Sequence, residues 1–147
     1  MAKPIPDGYH SLTPFLNVKG AAKAIEFYQK AFGAEERGRM NGPTGSIIHA
    51  EIKIGDSIVM LAEAETESPT VSSTHLYTKD TDAAFKRAID AGCEVKMPPM
   101  NMFWGDRYAR VTDPFGNRWG IATHIEDVPE NQMKSRMDEF MKQFPRK

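Results

Sequence analysis

Alternating and helical apolar patterns follow one another along the first half of the chain. Residues 11–18 alternate, with Leu12, Leu16 and Val18 on one face, and this predicts a strand. Apolar residues then recur at helical spacing from Ala21 to Phe32, and Gly33 supplies a helix stop. Three more strands are expected, over residues 35–40, 47–54 and 57–62. In the second of these, alternation places Ile48, Ala50, Ile52 and Ile54 on one apolar face. The predicted order is therefore β-α-β-β-β.

The second half of the chain shows the same order of patterns. A strand is predicted over residues 72–78, and a helix over residues 81–91 between an Asp80 N-cap and Gly92. A short strand over residues 94–97 is expected to end at Pro98 and Pro99, since proline cannot donate a backbone hydrogen bond. Two last strands are expected, over residues 107–112 and 118–124.

The two halves form an internal repeat. Helix-ending glycines stand at 33 and 92, and turn glycines at 55 and 116, at nearly constant spacing. One domain over 1–147 is predicted, with modules at about 11–62 and 72–126 joined by a polar linker at 63–71. A helix is expected at about 129–144, either docked on its own domain or covering a partner subunit. Its apolar stripe comprises Met133, Met137, Phe140, Met141 and Phe144.

Composition narrows the functional classes. The 147 residues carry 19 Lys and Arg against 20 Asp and Glu, so a nucleic-acid binder is not expected. No apolar stretch is long enough to span a membrane, and the first residues lack the apolar core of a signal peptide. The single cysteine, Cys93, fits a reducing cytoplasm and is expected to be a small buried residue.

Three groups of residues point to a known family. Residues 24–28 with Phe32 and Gly33 resemble the first-helix signature of the vicinal oxygen chelate superfamily, which includes glyoxalase I, bleomycin-resistance proteins and extradiol dioxygenases. Residues 113–117 resemble that family's turn before the last strand. Residues 102–107 and 119–127 resemble its PhnB-like branch. The resemblance implies an α+β fold of two paired βαβββ modules that form a cup-shaped mixed sheet, plus a homodimer.

The resemblance also implies where a divalent metal would bind. In family enzymes His, Glu or Gln ligands come from the first and last strands of each module. The matching positions here are Thr13, Met60, Ser73 and Gly120, none of which is an imidazole or carboxylate. We therefore predict neither the usual metal nor another cofactor. A displaced divalent-metal site remains an alternative, built from His49, Glu51, His75 and His124.

Strand alternation predicts which side chains line the cup. Aliphatic residues should face the helices, namely Leu12, Leu16, Val59, Leu61, Leu76 and Ile121. The expected ligand-binding residues are Phe15, His49, Glu51, Met60, His75, Tyr77, Trp104, Tyr108, Arg110 and His124. Gly120 and Ala122 are expected to leave room for a ligand.

Some of these residues suggest particular chemistry. His49 and Glu51 are candidates for general acid–base catalysis, since imidazole titrates near neutrality and a carboxylate can orient it. Tyr108 and Arg110 are candidates for binding an anionic group. Trp104 either stacks on a flat ligand or seals the end of the core with Phe103, and Trp119 is expected in the core.

Three functions fit these patterns. The first is a glyoxalase-like or bleomycin-resistance-like protein that binds or transforms a small organic molecule without the usual metal. The second is a metal-dependent lyase, isomerase or dioxygenase that uses the displaced histidines. The third is an antibiotic-sequestering resistance protein. The sequence does not decide whether the protein is an enzyme.

Overall fold

The computed structural model describes residues 2–64 and 68–145, so residues 65–67 of the predicted linker lie outside the described residues. The first module contains β1 (Phe15–Val18), α1 (Ala21–Phe32), β2 (Glu35–Asn41), β3 (Ile47–Ile54) and β4 (Ser57–Glu63). The second contains β5 (Ser73–Tyr77), α2 (Thr81–Ala91), β6 (Glu94–Asn101), β7 (Asp106–Thr112) and β8 (Arg118–His124), and α3 (Glu130–Gln143) follows. The α+β class, the repeated order and the C-terminal helix are confirmed.

Each module builds its own four-stranded mixed sheet. The first sheet has the order β1-β4-β3-β2 and the second has the order β5-β8-β7-β6. In both, the first strand runs parallel to the last, and the other pairs are antiparallel. No strand of one sheet contacts a strand of the other within the described ranges. The predicted cup strands therefore lie on two separate sheets.

The helices join the two modules. Helix α1 packs on the first sheet, α2 packs on the second, and the two helices contact each other. The Arg87 side chain of α2 donates hydrogen bonds to the carbonyl oxygens of Lys30 and Gln29 at the end of α1, at 2.7 and 3.1 Å. Burial of the apolar side chains of α1 and α2 is the main stabilisation of this helical layer.

A buried carboxylate in the last turn ties this layer together. Asp113 accepts hydrogen bonds from the Tyr28 hydroxyl of α1 at 2.6 Å and from the Trp119 indole at 2.9 Å. Two backbone N–H groups of its own turn also donate to it. The predicted core position of Trp119 is confirmed, since only 3% of it is exposed. Cys93 is buried nearby, as expected, and burial followed by the Asp113 charge raises its thiol pKa to about 12.

Two predictions on the first sheet are wrong. Strand β1 begins at Phe15 rather than at residue 11, because Pro14 cannot donate to the ladder, and Leu12 is 89% exposed rather than facing the helices. In β3, Ile48 was expected on the buried face with Ala50. A register irregularity, in which Met40 pairs with His49 and Asn41 with Ile47, leaves Ile48 exposed and buries Ile47.

The prolines of the second sheet do not end their strand. Strand β6 continues through Pro98 and Pro99 to Asn101, and its register with β7 is irregular there. Because β6 is the edge strand of its sheet, one side of its backbone needs no ladder partner and proline is tolerated. The predicted stop at residue 97 is therefore wrong.

Helix α3 is loosely attached. None of its residues is buried. Its apolar stripe touches the domain through Phe140, whose ring lies 5.5 Å from that of Phe103. Arg136 also forms a bidentate ion pair with Glu126, with both hydrogen bonds at 2.7 Å. No helix in residues 2–64 or 68–145 is long and apolar enough to cross a membrane.

Candidate functional site

Each sheet has an inner face against the helices and an opposite face, called the outer face here. In the second sheet, strand register places side chains of β5, β8 and β7 side by side on this outer face. One row contains His75, Gly120 and Arg110, and the next contains Tyr77, Ala122 and Tyr108. Asp106 and His124 form the last row. The alternation used to predict these positions is therefore confirmed in this sheet.

Four rings adjoin on this outer face, and we call this group the aromatic floor: His75, Tyr77, Trp104 and Tyr108. The His75 and Tyr108 rings are stacked, with centroids 5.4 Å apart. Tyr77 lies 4.8 Å from His75, and Trp104 lies 5.6 Å from Tyr108. The Trp104 and Tyr108 rings are half-buried, whereas His75 and Tyr77 are exposed. Ring faces open to solvent can stack on a flat ligand.

A buried carboxylate holds the aromatic floor from below. Asp106 is only 1% exposed and accepts hydrogen bonds from the Tyr77 hydroxyl at 2.9 Å and the Trp104 indole at 3.0 Å. Its other oxygen lies 2.8 Å from His124 Nδ1. Burial pushes the pKa of Asp106 upward, but the bonds from His124, Tyr77 and Trp104 outweigh it and keep the pKa below its usual range. The floor is thus pre-organised around an ionised side chain.

His124 continues this network to the surface. Its Nε2 lies 2.7 Å from an Asp127 oxygen, so the ring bridges Asp127 and Asp106. The bond to Asp127, followed by the bond to Asp106, raises the pKa of His124 above its ordinary value. Because two carboxylates face the ring nitrogens, the imidazolium form is favoured. His124 therefore acts as a bridge between charged groups rather than as a free base.

The space above Gly120 is filled by a ring. A Cβ atom at Gly120 would lie 2.9 Å from Tyr108 Cε1 and 3.1 Å from His75 Nδ1, so Tyr108 lies directly across the glycine. Ala122 is fully buried. The expectation that these small residues leave room for a ligand is therefore wrong. The absence of a side chain at Gly120 instead lets the Tyr108 ring lie against the sheet.

Positive charge collects at one end of the aromatic floor. Lys96, Arg110 and Arg118 border a small pocket of about 170 Å³ with Thr112, and we call these three residues the cationic end. Lys96 pairs with Glu94 at 3.1 Å. In contrast, the guanidinium groups of Arg110 and Arg118 have no ion pair or hydrogen-bond partner among residues 2–64 and 68–145.

The first sheet holds the other expected ligand-binding residues, and the N-terminal residues cover part of its outer face. The Phe15 and His49 rings are 6.0 Å apart, and His49 Nε2 lies 3.4 Å from Glu51, which is a weak contact. The Tyr9 hydroxyl donates to Glu51, and this bond, partly opposed by burial, lowers the Glu51 pKa. An ionised Glu51 fits the predicted role of orienting His49, but 3.4 Å is long for the hydrogen bond that this role needs.

Two larger cavities adjoin these faces. One, of about 580 Å³, lies between the N-terminal residues 4–13 and the first sheet at Glu51 and Met60. The other, of about 590 Å³, lies between strand β5 and the β3–β4 turn, where His75 and Tyr77 contribute to its wall. The expected ligand-binding residues are therefore divided between two faces rather than joined in one cup.

The residues present do not suit the family's usual metal. Met60 and Gly120 offer no oxygen or nitrogen side-chain ligand, and the Thr13 and Ser73 hydroxyls are poor ligands without carboxylates. Within the described part of the chain, no three His, Cys, Asp or Glu side chains are placed to hold a metal ion. His49 and Glu51 lie on the first sheet, whereas His75 and His124 lie on the second. The displaced set is thus not brought together.

Sequence patterns missed three contributors to these faces. Asp106 was placed in the loop before β7, although it begins that strand and organises the floor. Tyr9 lies in a segment without periodicity, so its bond to Glu51 had no signal. Arg118 carried a signal, since alternation with Gly120 in the same strand places it on the outer face.

The two βαβββ modules are joined through their helices, and each sheet has one face that points away from the helices. This arrangement defines a paired-module class of α+β proteins. A sequence profile of the Glyoxalase/Bleomycin resistance protein/Dioxygenase superfamily matches residues 9–121. The chain belongs to this superfamily. It is 38% identical over 139 residues to the uncharacterized protein Mb0911c of Mycobacterium bovis, covering 86% of this chain and 91% of that relative.

Solved structures share the fold. TioX from Micromonospora sp. ML1 superposes with a TM-score of 0.66 at 22% identity, covering 82% of this chain and 100% of TioX. The PhnB protein from Bacillus cereus superposes with a TM-score of 0.59 at 16% identity, covering 78% of this chain and 99% of its own. At these identities the similarity establishes the architecture alone.

Proposed function

We propose that this superfamily member binds a small planar organic molecule on the aromatic floor, without the family's usual metal. The observation that carries the proposal is the set of four adjoining rings held by the buried Asp106 carboxylate. Rings fixed in place lose little conformational entropy when a flat molecule stacks on them. The resemblance of residues 102–107 and 119–127, together with the PhnB protein fold, supports assignment to the PhnB-like branch.

A second copy of the chain is proposed to close the site. The floor is open to solvent on one side in the single chain, and Tyr77 is 60% exposed. The first sheet also exposes apolar side chains on its surface, including Met40 and Ile48. Burying such surfaces against each other would stabilise a homodimer. Light scattering during size-exclusion chromatography tests this state, and a monomer at micromolar concentration would contradict it.

Naphthalene-2-carboxamide, a neutral planar probe, tests the binding proposal. We expect calorimetric titration to detect binding, and Tyr108→Ala to weaken it about tenfold, because the central ring of the floor is lost. The matched control is Phe15→Ala, which removes an exposed ring from the outer face of the other sheet and should leave the affinity unchanged. Absence of binding, or equal loss in both variants, would contradict the proposal.

Metal dependence separates this function from the alternative lyase, isomerase or dioxygenase. Binding through stacked rings should persist in a chelator and in a His49→Gln variant, since His49 lies on the other sheet. A metal-dependent protein would lose probe binding in the chelator, and elemental analysis would find a stoichiometric metal that a His49→Gln, His124→Gln double variant lacks. That result would overturn the metal-independent proposal.

A further inference from the structure

The cationic end lies within one small molecule's length of the aromatic floor. Arg110 is two residues from Tyr108 on the same face of β7, which corresponds to roughly 7 Å along the strand. It stands opposite Gly120, over which the Tyr108 ring lies. Arg118 is two residues from Gly120 on β8, on the same face. Ring surface and positive charge therefore border each other.

The charge of the two arginines at this end is not neutralised by any residue in the ranges 2–64 and 68–145. Glu94 forms an ion pair with Lys96, so these two side chains together contribute little net charge. Arg110 and Arg118 are exposed and have no carboxylate partner in the described residues. Arg39, Arg107 and Arg136, by contrast, each pair with a carboxylate. Two unpaired guanidinium groups beside one pocket are suited to an oxyanion, which accepts forked N–H bonds.

The opposite end of the floor has the reverse character. There, Asp106 and Asp127 flank His124, and the buried Asp106 oxygens are already occupied by donors. An anionic group at that end would meet negative charge. A ligand lying along the floor would thus have one preferred direction, with its negative group toward the arginines.

We infer that the cationic end is an anion subsite, and that the ligand is a planar ring compound bearing a carboxylate or phosphate group. This inference rests on the proposed function, since the ring of the ligand is placed on the aromatic floor. Arg110 and Arg118 bind the anion, while Thr112, opposite Arg118 in the register, offers a hydroxyl donor at the same pocket. A cationic drug would be disfavoured at this end.

Three probes of one shape test the subsite, namely naphthalene-2-carboxylate, 2-naphthyl phosphate and the neutral naphthalene-2-carboxamide. We expect at least one anion to bind about tenfold more tightly than the amide, because charge-assisted bonds are stronger than neutral ones. The preference should shrink as salt is raised. Which anion gains more identifies the carboxylate or the phosphate as the natural group.

Substitutions locate the preference. In an Arg110→Gln, Arg118→Gln double variant the anions should bind no better than the amide, while the amide keeps its wild-type affinity. The matched control is Arg39→Gln on the first sheet, which should leave all three affinities unchanged. Thermal unfolding checks that these exposed substitutions leave the fold intact.

The outcomes separate the two proposals. If the amide binds but neither anion is preferred, or the preference survives the double variant, the anion subsite is wrong and the aromatic floor stands. If the anions bind but lose the same affinity in Arg39→Gln, the preference is only bulk attraction and the subsite is again wrong. If no probe binds, the proposed function itself fails.

Discussion

The two modules repeat one scaffold but differ on their outer faces. In the first, the N-terminal residues lie across the sheet, Tyr9 bonds Glu51, and Ile58 is only 4% exposed although alternation places it outside. In the second, the corresponding face carries the open aromatic floor and two arginines that have no ion-pair partner in the described part of the chain. Topology alone therefore does not decide where a ligand binds, since the side chains and covering segments differ between copies.

The helices of the two modules differ in a complementary way. Helix α1 buries six residues, whereas α2 buries only Thr81 and Ala88. The N-terminus of α1 is capped from another element, because the Glu63 carboxylate of β4 accepts bonds from Gly20 and Ala21. Helix α2 uses its own Asp80. Helix α1 thus contributes more buried residues to the core than α2 does. The residues of the proposed binding site lie on the second module.

The largest expected effect lies in the turns before the last strand of each module. Asp113→Ala would leave the Tyr28 hydroxyl and the Trp119 indole without their buried acceptor, and should lower the free energy of unfolding by about 3 kcal/mol or more. Its first-module control is Asp56→Ala, an exposed turn residue, with an effect below about 0.5 kcal/mol. Denaturant titration measures both, and equal losses would refute this difference.

Glycines in the turns before β3 and β7 provide the next test. Both have positive φ, +87° at Gly45 and +104° at Gly105, but only at Gly105 would a Cβ overlap a backbone atom, the Glu126 carbonyl oxygen. We expect Gly45→Ala to cost about 1 kcal/mol of strain, and Gly105→Ala clearly more. Hydrogen exchange should also quicken at Ile125 and Glu126, which donate to the Gly105 carbonyl. Unchanged exchange there would argue against this close approach.

The smallest expected effect is a pH dependence at the end of the aromatic floor where Asp106 and Asp127 flank His124. The raised pKa of His124 means that its bridge contributes fully below the ordinary value of 6.5 and is lost as pH rises through the folded value. The lowered pKa of Asp106 has the opposite consequence, since its contribution is lost as pH falls through its folded value. The protection factors of residues 125–128, which are corrected for the intrinsic pH dependence of amide exchange, should therefore be highest between these limits.

Variants assign that pH dependence. His124→Gln should remove the alkaline loss of protection, whereas His49→Gln, which alters the histidine–glutamate contact of the first module, should leave it in place. A loss of protection that persists without His124 would show that another group controls this segment.

Sequence patterns predicted most of the fold because its signals are local. Both module helices begin and end at the predicted residues, since glycine stops and apolar spacing act within a few residues. The errors at Leu12, Ile48 and Pro98 arise where proline or a bulge changes strand pairing. That change depends on the neighbouring strand and on the edge position of β6, neither of which is visible in one segment.

The candidate site was less predictable for a related reason. Alternation placed Tyr77, Tyr108, Arg110 and His124 on one face. It could not reveal that Asp106, from a buried position, joins Tyr77 and His124 to Trp104. It also gave no information on how far apart the two sheets lie, so ten residues were assigned to one cup. Hydrogen bonds between distant segments have no spacing rule in a sequence.

The bond between Tyr28 and Asp113 has a consequence for any attempt to separate the two copies. A chain cut at the linker would leave a phenol without its acceptor in one fragment and a carboxylate without its phenol donor in the other. Neither fragment alone would therefore reproduce the packing of the complete chain. We expect co-expressed fragments to be recovered together or not at all, because each carries only one partner of the Tyr28–Asp113 hydrogen bond.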